Sequence, residues 1–287
     1  MTILSLVIPV YNEEDSIAEC LEHVAHQSRP VDECIVVDNN CTDGTIAIAA
    51  KFANRLPLTI VQEEKPGVFW AREAGFSAAS GTLLGRIDAD SRIDPEWCAN
   101  AVSFMDQHRE VAALTGAAYA YDAPFAAKNQ SAARVAAGKA VEAGGGGSQA
   151  TTLYGANMVI RSSDWREVSG TQVAVPGTHE DWDLYYALKR SDKVVWRLPT
   201  ILAGVSARRF AMPIRSNMSY AGAAIRTPWL HGEKKDAVRQ ALLVVLFFVN
   251  LVFMKAILVP FDPSDRTWRP FRNAWKERRS PVTSQSD

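Results

Sequence analysis

Cysteine is scarce in this sequence, and the few cysteines lack the spacing of the sites that cysteine usually builds. The 287 residues include Cys20, Cys34, Cys41 and Cys98, with no Cys-x-x-Cys pair among them. We therefore expect neither a zinc site nor a disulfide framework, and a reducing compartment fits the chain better. The first residues also lack the positively charged segment of a signal peptide, so none is expected.

An excess of charge of one sign is also missing. The formal net charge is −1, so the chain as a whole is not a polyanion binder and no nucleic-acid partner is expected. The hydrophobic share of 47% is ordinary for a soluble globular protein, and the length allows one large α/β domain or two small ones.

Glycine-rich phosphate loops are a third absence. The segment 5–14, which includes the end of the first apolar run and the residues after it, has no Gly-x-Gly-x-x-Gly pattern, and the chain has no Walker-type lysine loop. A dinucleotide cofactor is therefore disfavoured. A nucleotide bound by this chain must be held by side chains and by a metal ion.

Apolar runs alternate with segments of helical spacing over the first third of the chain. Strands are predicted at 3–10, 34–37, 58–61 and 82–87, and helices at 15–27, 43–53 and 68–79. Strands and helices that alternate with short connections predict a parallel sheet with helices on both faces. Polar residues follow each strand, so one edge of the sheet is expected to face a ligand.

The fourth of these strands ends at two carboxylates, Asp88 and Asp90, with Ala89 between them. Residues two apart on a strand point to the same side. Two oxygen ligands at the carboxyl end of a strand suit Mg²⁺ or Mn²⁺, which share the phosphates of a substrate. A solvated turn is the alternative, because Asp is favoured in turns.

The pattern is less regular after about residue 121. Residues 122–150 are rich in Ala and Gly and end in Gly144–Ser148, which predicts a mobile loop. Such a loop is either a lid over a substrate or a simple insertion. Beyond it, a strand is expected at 154–160, a helix at 180–190 and a strand at 194–198.

Four ordered motifs resemble those of the family-2 glycosyltransferases. They are Val7–Glu14, Ile35–Thr45, Lys65-Pro66-Gly67 with Ala71-Arg72, and Asp88–Asp90, and the resemblance resumes at Tyr154–Arg161 and His179–Leu184. The match is dense from residue 3 to about residue 97 and loose in the last third. It implies an α/β fold of the GT-A type with a mostly parallel central sheet flanked by helices. It also implies a nucleotide-diphosphate sugar as the donor.

The resemblance assigns most of the donor site to the first third of the chain. Asp38 matches the carboxylate that holds the nucleobase in that family. The same pocket is lined by Pro9, Tyr11 and Glu13. Arg72 is placed near the nucleotide, where its fixed charge suits contacts with a base or a phosphate. The family usually has Asn after this arginine, whereas this chain has Glu73.

The metal site implied by the resemblance consists of Asp88 and Asp90, with Asp90 as the more direct ligand and Ala89 in the sugar-nucleotide site between them. The ion, Mn²⁺ or Mg²⁺, bridges the donor diphosphate and neutralises charge on the leaving nucleoside diphosphate. His231 is a weaker candidate for a third ligand, because a surface or core histidine is favoured there.

The pair Glu180-Asp181 matches the acidic pair of the family. Asp181 is expected to be the general base that takes the proton of the acceptor hydroxyl, with inversion of the anomeric configuration. Glu180 and Asp183 are the next candidates for this role. The pair also suits a helix start, where negative charge is stabilised by the macrodipole.

Two arginines follow the acidic pair in the sequence. One of Arg208 and Arg209 is expected to hold the departing diphosphate, and we assign Arg209 to the donor site, with an ordinary surface pair as the alternative. Processive members of the family carry Gln-x-x-Arg-Trp in this region, and this chain does not. Processive polymerisation is therefore not expected.

An apolar run at 241–259 is broken only by Asn250 and Lys255 and is near the length that spans a bilayer. Its two flanks are basic and contain Lys234, Lys235 and Arg239 on one side and Arg266, Arg269, Arg272, Lys276, Arg278 and Arg279 on the other. A helix that lies in the membrane interface satisfies both flanks, whereas a single span puts one of them outside. A core helix or a subunit-contact helix is the alternative.

These features predict a catalytic domain at 1–232, divided into a nucleotide-sugar half (1–121) and an acceptor half (122–232). A membrane-association segment follows at 233–287. The predicted function is an inverting, metal-dependent transfer of a sugar to the hydroxyl of a glycan or a lipid-linked acceptor, in the cytoplasm at the inner face of the cell membrane. A nucleotidyltransferase and a catalytically silent sugar-nucleotide-binding membrane scaffold are the alternatives.

Overall fold

The protein is built on one central sheet with helices on both faces. A computed structural model describes residues 2–142 and 146–269. Within the predicted basic tail, Arg272, Lys276, Arg278 and Arg279 lie outside the described residues.

The elements follow one another in an α/β pattern. The strands are β1 (Leu4–Val10), β2 (Glu33–Asp38), β3 (Leu58–Gln62), β4 (Leu83–Ile87), β5 (Arg92–Ile93), β6 (Val111–Ala120), β7 (Ser148–Gln149), β8 (Asn157–Arg161), β9 (Val194–Val205), β10 (Phe261–Asp262) and β11 (Thr267–Trp268). The helices are α1 (Ile17–Ala25), α2 (Thr45–Ala50), α3 (Val68–Ala78), α4 (Trp97–Gln107), α5 (Ala126–Glu142), α6 (Ser162–Val168), α7 (Glu180–Arg190), α8 (Arg208–Ala211), α9 (Ile214–Leu230) and α10 (Lys234–Leu258).

The first four strands form a parallel half-sheet in the order β3-β2-β1-β4. β1 pairs in parallel with β2 and with β4, and β2 pairs in parallel with β3. All four strands were expected from the sequence, within two residues at each end. Because these strands run in the same direction, the polar residues that follow them gather at one edge.

The sheet continues through β8, β6, β9 and β5. β8 lies between β4 and β6 and is antiparallel to both, whereas the long ladder between β6 and β9 is parallel. The two longest ladders, β6 with β9 and β1 with β2, are parallel, which confirms the predicted mostly parallel α/β sheet. Strands from before and after residue 121 belong to the same sheet. The division of the chain into two halves at this residue stays a prediction.

Alternate residues of β1 point into two separate apolar cores. Leu6 and Ile8 are fully buried on one face together with residues of α1 and α4, and Val7 is fully buried on the other face with residues of α3 and α7. A strand that is covered on both faces has this near-continuous apolar pattern. The two cores hold the sheet edge, and the site on it, in a fixed position.

Residues 126–142 form the helix α5, so the prediction of a mobile loop over 122–150 is wrong for this segment. Its composition is dominated by alanine, which is the best helix former and does not by itself indicate a loose chain. α5 packs against β6 and β9, and Gln130 Nε2 donates to the hydroxyl of Tyr119 at 2.7 Å. Residues 143–145 of the predicted loop lie outside the described residues.

The predicted strand at 194–198 is the first part of the longer strand β9. Pro199 indicates a strand end in the sequence because it cannot donate to a ladder. In the structure the ladder to β6 skips from Leu198 to Leu202, so Pro199 lies in an irregularity and the pairing then resumes. β9 therefore reaches Val205, next to the segment that carries Arg208.

The apolar run at 241–259 lies almost entirely within α10, which confirms a hydrophobic helix near the C-terminal end. α10 packs against α8 and α9, and three of its residues, Ala237, Leu251 and Leu258, are buried. By length and composition, α10 is the one helix among the described residues that could cross a membrane. Only a small part of its apolar surface is covered by the protein.

Candidate active site

A cavity of about 1030 Å³ opens at the carboxyl ends of the parallel strands. Its wall includes the ends of β1 and β4, the start of α7, and the segment from Ser206 to Tyr220. Six residues predicted for the site line it: Pro9, Tyr11, Asp88, Asp90, Asp181 and Arg209. Four other predicted residues, Glu13, Asp38, Arg72 and Ala89, are not part of the cavity wall.

One end of the cavity is formed by the loops after β1, β2 and β3. Asp38 does not line it, because its Oδ1 accepts the backbone N–H of Cys41 at 2.8 Å and so caps the turn after β2. The next residue, Asn39, lines the cavity. Its Nδ2 donates to the carbonyls of Glu63 and Lys65, and its Oδ1 accepts the N–H of Gly67, at 2.8–2.9 Å.

Asn39 therefore fixes the shape of this end of the cavity by joining the loops after β2 and β3. Gly67 has a φ of 124°, a conformation that favours glycine, and it leads directly into α3. The turn places Pro66 and Val68 in the wall of the cavity that Pro9 and Tyr11 of the first loop also line. A concave wall with such apolar and aromatic side chains suits a flat ring.

The two carboxylates after β4 line the cavity. Asp88 Oδ1 accepts a hydrogen bond from Arg86 Nη2 at 2.9 Å. Asp90, which is largely buried, accepts one from Arg208 Nη2 at 2.7 Å. Each carboxylate of the Asp-Ala-Asp motif thus has an arginine partner in this structure.

The donor set at this point fits a divalent cation that is shared with a substrate. No group of three or more His, Cys, Asp and Glu side chains among the described residues could hold a metal by itself. A guanidinium nitrogen of Arg208 already lies between the carboxylates of Asp90 and Glu13, so the position attracts positive charge. Mg²⁺ and Mn²⁺ sites of this kind take one or two carboxylates and complete their coordination with water and phosphate.

His231 is not part of this site. Its Nε2 lies 2.7 Å from Asp183 Oδ1, and both side chains are almost completely buried. Asp183 also accepts the backbone N–H groups of Val173 and Ala174 at 2.9 Å. Neither residue lines the cavity. Their bonds hold the start of α7 to its neighbours. This agrees with the expectation that His231 is a surface or core histidine.

Asp181 lies in the first turn of α7 and lines the cavity. Its Oδ2 accepts the backbone N–H of Gly155, and its Oδ1 that of Trp182, both at 2.9 Å. Removal from bulk water raises the pKa of Asp181 to about 6, and the charge of Glu180 adds to the rise. A carboxylate that is ionised at neutral pH and yet binds a proton more tightly than usual suits a general base.

Glu180 is held by two buried arginines. Arg72 Nη1 donates to its Oε2 and to its backbone oxygen, and Arg86 Nη1 donates to its Oε1. Glu73 Oε1 accepts from Arg72 Nε and Nη2 at 3.0–3.1 Å. Arg72, which has no solvent exposure, therefore lies behind the cavity wall. We call Arg72, Arg86, Glu73 and Glu180 the buried clamp.

The buried clamp explains two features of the sequence. Glu73, which stands where the family usually has Asn, supplies a second negative charge for Arg72. Gly155 lies so close to Arg86 that a Cβ at this position would overlap its Nη1. Arg86 was not predicted for the site, although its position two residues before Asp88 puts both side chains on one side of the strand.

Arg209 lines the cavity and stacks over the ring of Tyr220, with its guanidinium carbon 4.0 Å from the ring centroid. The ring of His179 lies 4.3 Å from the ring of Tyr220. Burial lowers the pKa of His179 to about 4, and the charge of Arg209 contributes, so His179 is neutral near pH 7. His179 and Tyr220 had no predicted role.

The architecture is an α/β fold of the GT-A type, which solved structures share. A mannosyltransferase from Pyrobaculum calidifontis, solved with GDP-Man and Mn²⁺, matches with a TM-score of 0.57 and 20% identity, over 92% of this chain and 82% of that chain. Residues 1–349 of TarS from Staphylococcus aureus, solved with UDP-GlcNAc, match with a TM-score of 0.56 and 20% identity, over 78% of this chain and 65% of that chain.

The family model described as "Glycosyl transferase family 2" matches residues 5–166, and that of "Glycosyl transferase family group 2" matches residues 86–258. The first match covers more than half of the chain. The chain therefore belongs to glycosyl transferase family 2, which confirms the resemblance drawn from its motifs.

Named relatives match over a shorter stretch. Glycosyltransferase AglE of Haloferax volcanii is 36% identical over 105 residues, which are 35% of this chain and 34% of that protein. Dodecaprenyl-phosphate galacturonate synthase of Rhizobium johnstonii is 38% identical over 119 residues, which are 39% of this chain and 35% of that protein. The chain thus aligns with about a third of the length of these relatives.

Proposed function

We propose that this chain is an inverting, metal-dependent glycosyltransferase that moves a sugar from a nucleotide-diphosphate donor to an acceptor hydroxyl. The observation that carries the proposal is the arrangement of Asp88, Asp90 and Asp181 around one cavity. The first two suit a cation that shares the donor phosphates. The third, with its pKa raised to about 6, suits proton abstraction.

The chemical step needs one proton acceptor. The acceptor oxygen forms a bond to the anomeric carbon while the bond from that carbon to the phosphate oxygen breaks. The hydroxyl proton passes to the Asp181 carboxylate, and the nucleoside diphosphate leaves with the bonding electrons. Because nucleophile and leaving group occupy opposite faces of the sugar, the configuration inverts. Gly155 and Trp182 keep Asp181 in place through backbone hydrogen bonds.

Asp88 and Asp90 are the residues that would hold Mn²⁺ or Mg²⁺. When bound, the ion supplies positive charge that stabilises the diphosphate as it leaves. Arg209, on the same cavity wall, has a fixed charge that also suits phosphate oxygens. Stacking on Tyr220 holds its guanidinium in place.

The donor nucleoside is proposed to lie between Pro9, Tyr11 and Asn39 on one side and the turn at Gly67 on the other. Two structures with the same fold support a nucleotide sugar, since TarS was solved with UDP-GlcNAc and the mannosyltransferase with GDP-Man and Mn²⁺. The side-chain amide of Asn39 already forms three hydrogen bonds with the loops that it joins, two from Nδ2 and one to Oδ1. Tyr11 and Pro9 therefore provide most of the contact area for the base.

We also propose that α10 rests on the cytoplasmic face of the cell membrane. Seven apolar side chains at helical spacing are each 60–68% exposed: Val238, Leu242, Val245, Leu246, Val249, Val252 and Phe253. Exposed Trp229 precedes the helix and exposed Trp268 follows it, as is common for interfacial segments. Such an apolar face with basic residues beside it fits an anionic lipid surface.

Lys255 supports this orientation. In hydrocarbon a lysine is costly, and its presence in the apolar run weakens a membrane assignment made from the sequence. In the structure its Nζ donates to the carbonyls of Ala211 and Met212, so it points towards α8 and away from the exposed face. A membrane-bound position favours an acceptor that is itself lipid-linked or part of the cell envelope, which agrees with the name of the Rhizobium johnstonii relative.

The proposal is tested by thermal unfolding of the full chain with a panel of UDP- and GDP-sugars, with and without Mn²⁺. A donor that binds only the folded state raises the unfolding temperature, and the rise is expected to need Mn²⁺. Asp90→Ala is expected to abolish the Mn²⁺-dependent rise, while Asp106→Ala, a carboxylate outside the cavity, preserves it. An undiminished rise in Asp90→Ala contradicts the metal assignment.

A further inference from the structure

Arg208, in the wall of the site, connects two distant parts of the sequence, Glu13 and Asp90. Its Nη2 donates to Glu13 Oε1 at 3.0 Å, to Glu13 Oε2 at 2.9 Å and to Asp90 Oδ2 at 2.7 Å. Glu13 is 3% exposed, whereas the Arg208 side chain is 20% exposed and lines the cavity. We call this group of three residues the Arg208 bridge.

In the Arg208 bridge only one of the three guanidinium nitrogens forms hydrogen bonds with the described residues. One nitrogen serves all three carboxylate oxygens, although an arginine can pair with a carboxylate through two parallel bonds. The Nε of Arg208 is buried and has no hydrogen-bond partner in the structure. A buried donor without a partner costs free energy, so a placement that gave this nitrogen a partner would recover that cost.

The backbone that carries Arg208 is fixed at both ends. Asp122 accepts from the N–H of Ala207 at 2.7 Å and from the hydroxyl of Ser206 at 2.5 Å, which holds the start of α8. Lys255 of α10 donates to carbonyls at the end of α8. Movement of Arg208 therefore requires only rotation of its side chain, and the displaced guanidinium remains beside the cavity.

We propose that Arg208 serves as the cation at Asp90 while the donor is absent, and that the divalent cation binds by displacing it. This inference rests on the proposed role of Asp90 in holding the metal. A guanidinium and a divalent cation cannot occupy the same side of one carboxylate together. The released guanidinium then lies within reach of the cavity, where a diphosphate offers oxygens that satisfy it bidentately.

Two consequences follow for binding. The metal alone has to break the Arg208 bridge and therefore binds weakly. A nucleoside diphosphate that gives Arg208 a new partner removes this penalty, so metal and nucleotide each strengthen the binding of the other. By linkage the two effects are equal in size.

The first test measures binding of Mn²⁺ alone by electron paramagnetic resonance, with the full chain. Arg208→Gln is expected to bind Mn²⁺ about tenfold more tightly than the wild type, a coupling of ordinary size between two binding events. Arg215→Gln is the matched control, because it removes the same charge from an exposed residue of the cavity wall that has no bond to Asp90. Its Mn²⁺ affinity is expected to stay close to that of the wild type.

The second test needs no metal and so separates this inference from the proposed function. Arg208→Gln and Asp90→Asn are combined in a double-mutant cycle of chemical unfolding in EDTA. The pair is expected to show a coupling of about twofold or more in the unfolding equilibrium constant, as contacting residues do. A coupling of zero overturns the bridge as an energetic contact, whatever the metal does.

The outcomes separate as follows. If Arg208→Gln and the wild type bind Mn²⁺ with the same affinity, the displacement is wrong and the metal site stands. If instead neither the wild type nor Arg208→Gln binds Mn²⁺, even in the presence of UDP or GDP, the metal role of Asp90 fails and the displacement fails with it. A coupling in EDTA then still measures the contact between Arg208 and Asp90.

Discussion

The buried clamp and the Arg208 bridge both pair arginines with acidic residues beside one cavity, but Arg72 of the clamp and Arg208 of the bridge differ in burial and in the number of guanidinium nitrogens that are bonded. Arg72 of the clamp has no exposure and bonds through all three of its guanidinium nitrogens. Arg208 of the bridge is partly exposed and bonds through one nitrogen. The difference indicates a permanent support on the side of Asp181 and an exchangeable contact on the side of Asp90.

This contrast agrees with the chemistry proposed for each side. A general base must keep one position and one pKa through each turnover, so fixed neighbours suit it. A metal-binding carboxylate must exchange partners as donor and metal enter and leave. A partner that can rotate away without moving the backbone suits that role.

Loss of Arg72 is expected to produce the largest effect. Arg72→Met leaves Glu73 without a paired arginine and Glu180 with Arg86 alone, and removal of one member of a buried ion pair costs about 3–5 kcal/mol. The free energy of unfolding in urea measures this loss. Arg134→Met is the control, because the Arg134 side chain is more than half exposed and its pair with Asp94 is worth about 1 kcal/mol or less. Similar losses in the two variants contradict a special role for the clamp.

Removal of the charge on Glu180 is expected to change the pH dependence of transfer. The charge of Glu180 raises the pKa of Asp181, so Glu180→Gln lowers that pKa. A base works when it is deprotonated. In the wild type the rate should fall as the pH drops through about 6, and in the variant this fall should occur at lower pH.

The pH–rate profile with the donor identified by thermal unfolding measures this shift. Circular dichroism must first show that Glu180→Gln is folded, because the variant leaves two buried arginines with fewer partners. Glu64→Gln provides a control at an exposed position. An unchanged profile in a folded Glu180→Gln variant means that Glu180 does not set the pKa of the base.

The smallest effect on the site itself is expected from charges on the exposed face of α10. Leu246→Lys with Val249→Lys places two charges where the membrane is proposed to lie. The control pair, Val135→Lys with Val141→Lys, places two charges on exposed positions of α5, outside that face. Only the first pair should reduce sedimentation with vesicles of phosphatidylglycerol and phosphatidylcholine. Wild-type binding should weaken with salt but persist in part, since screening acts on the charges and not on the apolar face.

Donor binding should be the same in both pairs of lysine variants, because neither face lines the cavity. A monodisperse dimer that ignores vesicles contradicts the membrane assignment and favours a subunit contact through α10.

The parallel half of the fold could be predicted because its signals are local. The strands β1 to β4 are continuous apolar runs bounded by polar residues, and Asp88, Asp90 and Asp181 follow from short motifs. The helix α5 is hard to predict because its alanines are followed directly by a run of glycines, and the two together have the composition of a loop. Propensity separates these two residue types by about 1 kcal/mol per residue.

The connections within the site could not be predicted from the sequence in the same way. Arg208 is 195 residues from Glu13 in the chain, and Arg72 is 108 residues from Glu180. Nothing in a local pattern states that two such residues are neighbours. An arginine on a helix is usually exposed, so the complete burial of Arg72 depends on tertiary packing alone.

The most direct test of the account is a comparison of donor binding and sugar transfer in Asp181→Asn. Asparagine keeps the shape of the side chain but cannot take the proton of the acceptor hydroxyl. Donor affinity should stay within a few-fold of the wild type, whereas transfer should fall by about 10²–10⁴-fold, the size of general-base catalysis. Near-normal transfer by this variant would contradict the account, because the base would then lie elsewhere.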